Sequence, residues 1–234
     1  MKKCSIQARF SAAFPIILLS GRLAFAQVPT TGSPTGINAA FVRLFGPVTS
    51  FTAKVETQVF DPSQKEIVHM PMDLAALDGK VRLEINLAQI QSKEFSARTL
   101  AQLKQAGMDH LVSVFRPDKK ATYIIYPGVQ SYLSIPLAKG EAEAMEKDLK
   151  LEKSPLGKET LDGHPCVKNK VTVRNDKGPV LEAVTWNAAD LKDFPLQIQM
   201  KENNNKVLMR FSQVSFVRPD AKQFDLPATY GEMK

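Results

Sequence analysis

The sequence predicts a mainly β protein with some α-helix. Its predicted architecture is one strongly curved antiparallel sheet, an open half-barrel, with helices packed on its concave face. About ten short segments read as strands, and the clearest of them alternate apolar and polar residues with a period of two, which is typical of strands with one buried face. Turn-forming residues separate these segments at regular intervals, as in sandwiches and barrels. A few segments have helical spacing instead, and the apolar stripe of each must be buried against another element.

Residues 1–26 form a predicted signal peptide. Met1-Lys2-Lys3 supplies a positive start, Ala12–Leu19 an apolar run, and Ala24-Phe25-Ala26 a small-x-small cleavage pattern. Cleavage after Ala26 would release a protein beginning at Gln27 into the periplasm. No later stretch reaches the roughly 20 apolar residues that a membrane span needs, so we expect no transmembrane segment in the mature protein.

The basic charge of the chain comes largely from this leader. The 31 Lys and Arg and 24 Asp and Glu residues give a net charge of +7. Four of the basic residues, and none of the acidic ones, lie in the first 26 positions, which leaves 27 against 24 and a net charge of +3 for the rest. This near balance argues against nucleic acid as a partner.

The mature chain opens with a predicted flexible linker, residues 27–36, and residues 37–234 read as a single domain. Asn38 is positioned to cap a short helix that Gly46-Pro47 ends. Two segments then alternate cleanly, Phe51–Val59 and Val81–Leu87, and predict half-buried strands. Met70 and Met72, beside His69, read as core-filling residues of an edge strand, with a soft metal site as the alternative.

Two further helices are predicted, Ser96–Ala106, which ends at Gly107, and Lys139–Leu149. Eight short strands occupy the rest of the chain, with turn residues between them. In the final strand the apolar residues change parity, which predicts a β-bulge near Ser212-Gln213. These eight strands are Leu111–Phe115, Thr122–Tyr126, Ser131–Ile135, Gly157–Thr160, Val167–Arg174, Val180–Trp186, Leu196–Lys201 and Val207–Val217.

The chain carries no recognisable catalytic signature, so we predict that it is not an enzyme and needs no cofactor. Cys166 follows His164 by two residues, and this spacing raises two possibilities, a catalytic Cys–His pair or a metal site. Pro165 holds the segment extended, however, and the two side chains are then about 6–7 Å apart, beyond hydrogen-bond reach. A small buried cysteine is the interpretation we adopt, and no metal site is predicted.

Several motifs resemble a run found in exported bacterial proteins grouped as a domain of unknown function. These proteins are similar to the periplasmic lipoprotein-carrier superfamily, including LolA and LolB, in which an open barrel encloses an apolar pocket closed by helices. The resemblance implies a carrier fold over roughly residues 51–230, and no functional residue is transferred from it. The motifs are Arg116–Lys120, Tyr123–Gly128 with Tyr132, Gly157–Glu159, Asp162–Cys166, Trp186–Leu191, Phe194–Leu196 and Phe224–Pro227 with Tyr230.

Together these observations predict a periplasmic binding protein that carries or chaperones lipid, lipoprotein acyl chains or another apolar ligand. The alternative is an envelope sensor or scaffold whose half-barrel docks a protein partner. Leu100 and Leu103 lie on the Ser96–Ala106 helix, which we predict to be a movable lid over the cavity. Trp186 reads either as a ligand-stacking ring or as a core anchor. The predicted cavity lining is Phe51, Val55, Val59, Leu83, Ile85, Leu87, Leu100, Leu103 and Trp186.

Overall fold

One large sheet accounts for most of the structure. The computed structural model of the chain describes residues 38–93, 95–137, 149–176 and 178–233. The predicted signal peptide and linker lie outside the described residues, as does the predicted 139–149 helix except for Leu149. The single domain beginning at residue 37 therefore stays a prediction.

Within the described residues, two α-helices accompany a sheet of thirteen strands. The helices are α1 (Ala39–Arg43) and α2 (Ala97–Gln105). The strands are β1 (Ser50–Phe60), β2 (Glu66–Leu77), β3 (Lys80–Asn86), β4 (Gln91–Ser92), β5 (His110–Arg116), β6 (Ala121–Tyr126), β7 (Ser131–Pro136), β8 (Lys150–Leu161), β9 (His164–Asn175), β10 (Gly178–Ala188), β11 (Phe194–Glu202), β12 (Asn205–Ser215) and β13 (Gly231–Glu232).

The sheet consists of two meanders joined by one long-range pairing. Its strand order is β13-β7-β6-β5-β3-β2-β1-β12-β11-β10-β9-β8, with β4 attached to β2. Every pairing is antiparallel except the short one between β13 and β7. The pairing of β1 with β12 unites the halves, and the sheet remains an open, curved half-barrel. The predicted fold class is confirmed.

The interpretation of the His69 segment as an edge strand is wrong. His69 and Pro71 lie in β2, which pairs with β1 on one side and with β3 and β4 on the other. Proline lacks the N–H that a ladder requires and therefore favours edges. On the side of β2 that faces β3 and β4, residues 68–69 pair with β4 and residues 73–77 pair with β3. Pro71 lies between these two paired stretches, so a proline is tolerated there.

The predicted bulge in the last long strand is confirmed. Thr52 of β1 pairs with Ser215, whereas Lys54 pairs with Ser212, so β12 contains one extra residue there. Gln213 adopts a left-handed φ of 51° at this point. The extra residue returns Val214 to the apolar face, where it packs against the core, and it increases the local bend of the strand.

The two faces of the sheet are covered differently. We call the face that carries Phe51, Val55, Leu83 and Phe115 the concave face; these side chains are at most 3% exposed and belong to the main core. Helix α1 packs here. The Oδ1 atom of Asn38 accepts a hydrogen bond from the Phe41 N–H at 2.9 Å, which is the predicted cap.

The opposite, convex face has a second core that alternation alone did not predict. Phe224, which is fully buried, packs with Val112 and Val114 of β5 and with Ile125 of β6. The segment that carries Phe224 crosses these strands, so they are buried on both faces. Arg116 anchors it, because its Nη1 atom donates a hydrogen bond to the Phe224 carbonyl oxygen at 2.8 Å.

Candidate functional site

A cavity of about 280 Å³ lies between α1 and the sheet. It occupies the end of the concave face where β1 and β3 begin and β2 and β5 end. Most of its lining residues are apolar, and Arg43 and Thr49 add polar groups. The sheet contributes Phe51, Ala76, Val81 and Phe115; α1 and the residues after it contribute Ala39, Val42, Arg43, Phe45, Gly46, Val48 and Thr49; Gly79, Pro117 and Leu149 complete it.

Small residues keep this space open. In the sheet register Ala76 of β2 lies between Phe51 of β1 and Val81 of β3. Its single methyl group leaves a gap that a larger side chain would fill. Gly46, with a left-handed φ of 58°, turns the chain away after α1, so the helix covers the cavity with little more than one turn.

A cluster of phenylalanine rings fills the concave face beside the cavity. The centroid of the Phe45 ring is 4.8 Å from that of Phe51, 5.5 Å from Phe194 and 5.6 Å from Phe211. All four side chains are at most 2% exposed. These are ordinary separations for tilted and edge-to-face pairs. The cluster fixes α1 to the sheet and closes the cavity on that side.

The predicted lining residues belong to one apolar core, although only one of them lines this cavity. That residue is Phe51. Six are buried within the core and three pack against it partly exposed. The buried six are Phe51, Val55, Leu83, Ile85, Leu87 and Trp186, and the partly exposed three are Val59, Leu100 and Leu103.

The predicted lid helix is present but does not cover the cavity. Helix α2 begins after Ser96, whose side chain accepts a hydrogen bond from the Thr99 N–H at 3.1 Å, and it ends at the predicted Gly107 stop. None of its residues is fully buried, and Leu100 and Leu103 make its core contacts. The element over the cavity is α1, which the sequence also predicted as a helix without that role.

Trp186 is held by polar contacts on two neighbouring strands. Its Nε1–H donates a hydrogen bond to Glu159 at 2.9 Å, and the Lys168 Nζ atom lies 4.7 Å from the ring centroid. These contacts with Trp186 and Lys168 lower the pKa of the Glu159 carboxyl group. The ring is 5% exposed and does not line the cavity beneath α1.

Cys166 lies in the core, as the sequence interpretation has it. It is 2% exposed, and burial raises the pKa of its thiol, which disfavours the reactive thiolate. The neighbouring His164 is engaged elsewhere, with its Nδ1 atom 2.8 Å from Asp190. Within the described residues, no three His, Cys, Asp or Glu side chains are grouped to hold a metal ion.

His69 contacts two glutamates on the convex face. Its Nε2 atom is 2.6 Å from Glu56 and its Nδ1 atom 3.7 Å from Glu66. Met72 points the other way and is buried in the main core, as expected for a gap-filling methionine.

A polar groove of about 270 Å³ lies on the convex face, behind the cavity. Its charges neutralise one another: Lys54 pairs with Asp73 at 2.5 Å, and Arg82 pairs with Glu84. Partial burial raises the pKa of Glu84, but Arg82 and His110 outweigh this and leave it below its usual value. Because these four side chains pair with one another, their charges are already compensated and favour binding of a charged ligand little.

Sequence patterns did not identify several of the residues that line the cavity. Ala39 and Val42 lie on a predicted helix, and Ala76, Val81 and Phe115 on strands. Alternation does identify their faces, but it does not say which stretch of a long apolar face remains unfilled. The small size of Ala76 between two larger neighbours is a signal only once the strand register is known.

Comparison with known proteins finds likeness among solved structures. No family model and no curated protein matches this chain. A LolA superfamily protein from Nitrosomonas europaea is 10% identical with a TM-score of 0.39, over 81% of this chain and 98% of that one. LprF from Mycobacterium bovis is 13% identical with a TM-score of 0.39, over 86% and 100%.

A chain of the Pseudomonas aeruginosa MucA/MucB complex is 15% identical with a TM-score of 0.38, over 82% of this chain and 61% of that one. One of these solved structures, the Nitrosomonas europaea protein, belongs to the LolA superfamily, which the sequence motifs also resemble. Because all three TM-scores are below 0.5, no functional argument rests on this likeness.

None of the described helices has the length and apolar character needed to cross a membrane.

Proposed function

We propose that this protein is a periplasmic binding protein that carries or chaperones an apolar ligand, such as a lipid or the acyl chain of a lipoprotein. The observation that carries the proposal is the cavity beneath α1. Its sheet-side wall is formed by Phe51, Ala76, Val81 and Phe115, all apolar. Binding sites for small molecules are mostly apolar concavities of this kind with few polar groups.

The size of the cavity limits what it holds. At about 280 Å³ it is just below the roughly 300–1,000 Å³ typical of sites for drug-sized ligands. It therefore suits one segment of an acyl chain or a compact apolar group. A longer chain requires α1 to move outward, and we propose that Val55, Leu83 and Ile85 contact ligand only then.

A second candidate, an envelope sensor or scaffold, is favoured by the phenylalanine cluster. Phe45, Phe194 and Phe211 occupy concave-face space that a carrier of large lipids would leave empty. A cavity restricted to one end suits a single apolar side chain of a protein partner. Binding of a lipid probe distinguishes the two candidates.

The test is a titration with cis-parinaric acid, a fluorescent fatty acid, on the wild type and two matched variants. Ala76→Leu places a larger apolar side chain in the cavity, so we expect loss of probe binding. Because it fills existing space, the change should leave the thermal midpoint equal or higher. Ala75→Leu is the control, since Ala75 is equally buried but belongs to the convex-face core.

Equal loss in both variants, with both proteins folded, would contradict the cavity as the binding site. No binding of the probe by the wild type would contradict the carrier proposal and favour the scaffold.

A further inference from the structure

We propose that the cavity beneath α1 selects a single-chain amphiphile with a carboxylate head group, which Arg43 binds at the cavity mouth. This inference rests on the proposed function, because it names the class of ligand that the same cavity takes. It concerns the polar end of the ligand, which an apolar wall alone leaves undefined.

The position of Arg43 supports the inference. It is the last residue of α1, it lines the cavity, and it is exposed to solvent. Ala39, Val42 and Phe45 supply apolar wall from the same helix and the turn after it. Arg43 thus lies where the apolar interior meets water, and an amphiphile bound there would have its polar head at the same boundary.

In the part of the chain that the structure describes, the charges beside the cavity leave Arg43 available. Asp78 adjoins the lining residue Gly79, but Arg218 contacts it at 2.5 Å. Asp118 adjoins Pro117, but its carboxylate binds Arg116 at 2.7 Å. Among the described residues, Arg43 has neither an ion pair nor a side-chain hydrogen bond, and it is the charged member of the cavity lining. As far as the described residues go, an anion bound at the mouth would therefore meet a cation that no carboxylate already pairs.

The chemistry of arginine and the size of the cavity further limit the class of ligand that fits. A guanidinium plane matches a carboxylate with two parallel hydrogen bonds. A volume of about 280 Å³ takes a segment of one chain and does not have room for the two chains of a diacyl phospholipid. A free fatty acid combines both features, and we commit to that class.

The experiment compares cis-parinaric acid with its methyl ester, which has the same chain and no charge. We expect the wild type to bind the acid more tightly at low salt, with the difference shrinking as salt is added. Arg43→Gln should weaken binding of the acid by about threefold to fivefold, as for an exposed ion pair, and leave the ester unchanged. Arg43→Lys should retain most of the preference for the acid.

Arg98→Gln is the matched control, because Arg98 is an exposed helical arginine on α2 outside the cavity lining. It should bind acid and ester as the wild type does. The inference is overturned if the wild type does not prefer the acid, or if Arg43→Gln weakens acid and ester equally. In those cases the proposed binding of apolar chains still stands. Failure of the wild type to bind either probe overturns the proposed function and this inference with it.

Discussion

At the scale of single residues, Glu202 has the most unusual environment. It ends β11 and is 7% exposed, and its Oε1 atom has no hydrogen-bond partner among the described residues. By alternation it shares the concave face with Ile198 and Met200. Burial raises the pKa of its carboxyl group from 4.5 to about 7. Burial makes the ionised form costly in such a place, so the native state favours the protonated form below about pH 7.

This environment predicts a pH dependence of stability. Because the pKa of Glu202 is higher in the folded than in the unfolded chain, the folded state binds more protons between about pH 4.5 and 7. The contribution of Glu202 to the free energy of unfolding therefore falls as the pH rises through that window. We expect Glu202→Gln to be near neutral at pH 5 and to stabilise by about 2–3 kcal/mol at pH 8.

Urea unfolding of the variant and the wild type at both pH values measures this difference. Glu182→Gln serves as the control, because Glu182 is exposed on β10 and only 3.7 Å from Lys170 in a surface pair. It should change stability little at either pH. A Glu202→Gln effect that is the same at pH 5 and pH 8 would show that the carboxyl group does not titrate in this range.

At the scale of elements, the two helices and the C-terminal segment differ in how firmly they are held. Helix α1 is anchored by buried phenylalanines, and the C-terminal segment by Phe224 and by Arg116, which also binds Asp225 at 2.6 Å. Helix α2 has no buried side chain, and only Leu100 and Leu103 pack against the core. Because a fully buried apolar side chain contributes about 1.5–3 kcal/mol, partial burial of two holds α2 weakly.

Hydrogen exchange should reveal this difference. We expect the backbone amides of α2 to exchange by local opening, well before those of β5, which is paired on both sides and buried on both faces. Mass spectrometry of peptides covering residues 97–105 and 110–116 measures both elements in one sample. Protection of α2 as strong as that of β5 would show that the helix belongs to the cooperative core and does not open locally.

At the scale of the whole molecule, the sheet is long and open, and its exposed edges need protection. Among the described strands, β8 pairs only with β9, and Pro155 together with the irregularity between Pro155 and Gly157 interrupts its ladder. At the other end β13 has only two residues. Short, proline-containing or irregular edges are unfavourable templates for pairing with another chain. These features suit a half-barrel that remains open without aggregating.

The proposed location of the whole protein makes one further prediction. Export should remove the leader after Ala26, so the mature protein is expected to begin at Gln27. N-terminal sequencing of the protein from a periplasmic extract tests this. A cleavage-site variant, Ala26→Arg, should accumulate uncleaved precursor, because a large charged residue does not fit the small-residue requirement. Recovery of a wild-type chain that retains Met1 would contradict export by this route.

The sequence by itself determined most of the strands, the buried faces of β1 and β3, the helix cap at Asn38, the helix stop at Gly107 and the bulge near Gln213. All of these depend on neighbours within a few residues, where alternation and capping act directly. Only the tertiary structure decided that β2 is internal, that Phe224 covers β5, and which part of the concave face stays unfilled. These depend on strand order and on contacts between distant residues, as when Phe51, Ala76 and Val81 become neighbours across three strands. Periodicity shows which way a side chain points, but what it meets there is fixed only when the whole chain has folded.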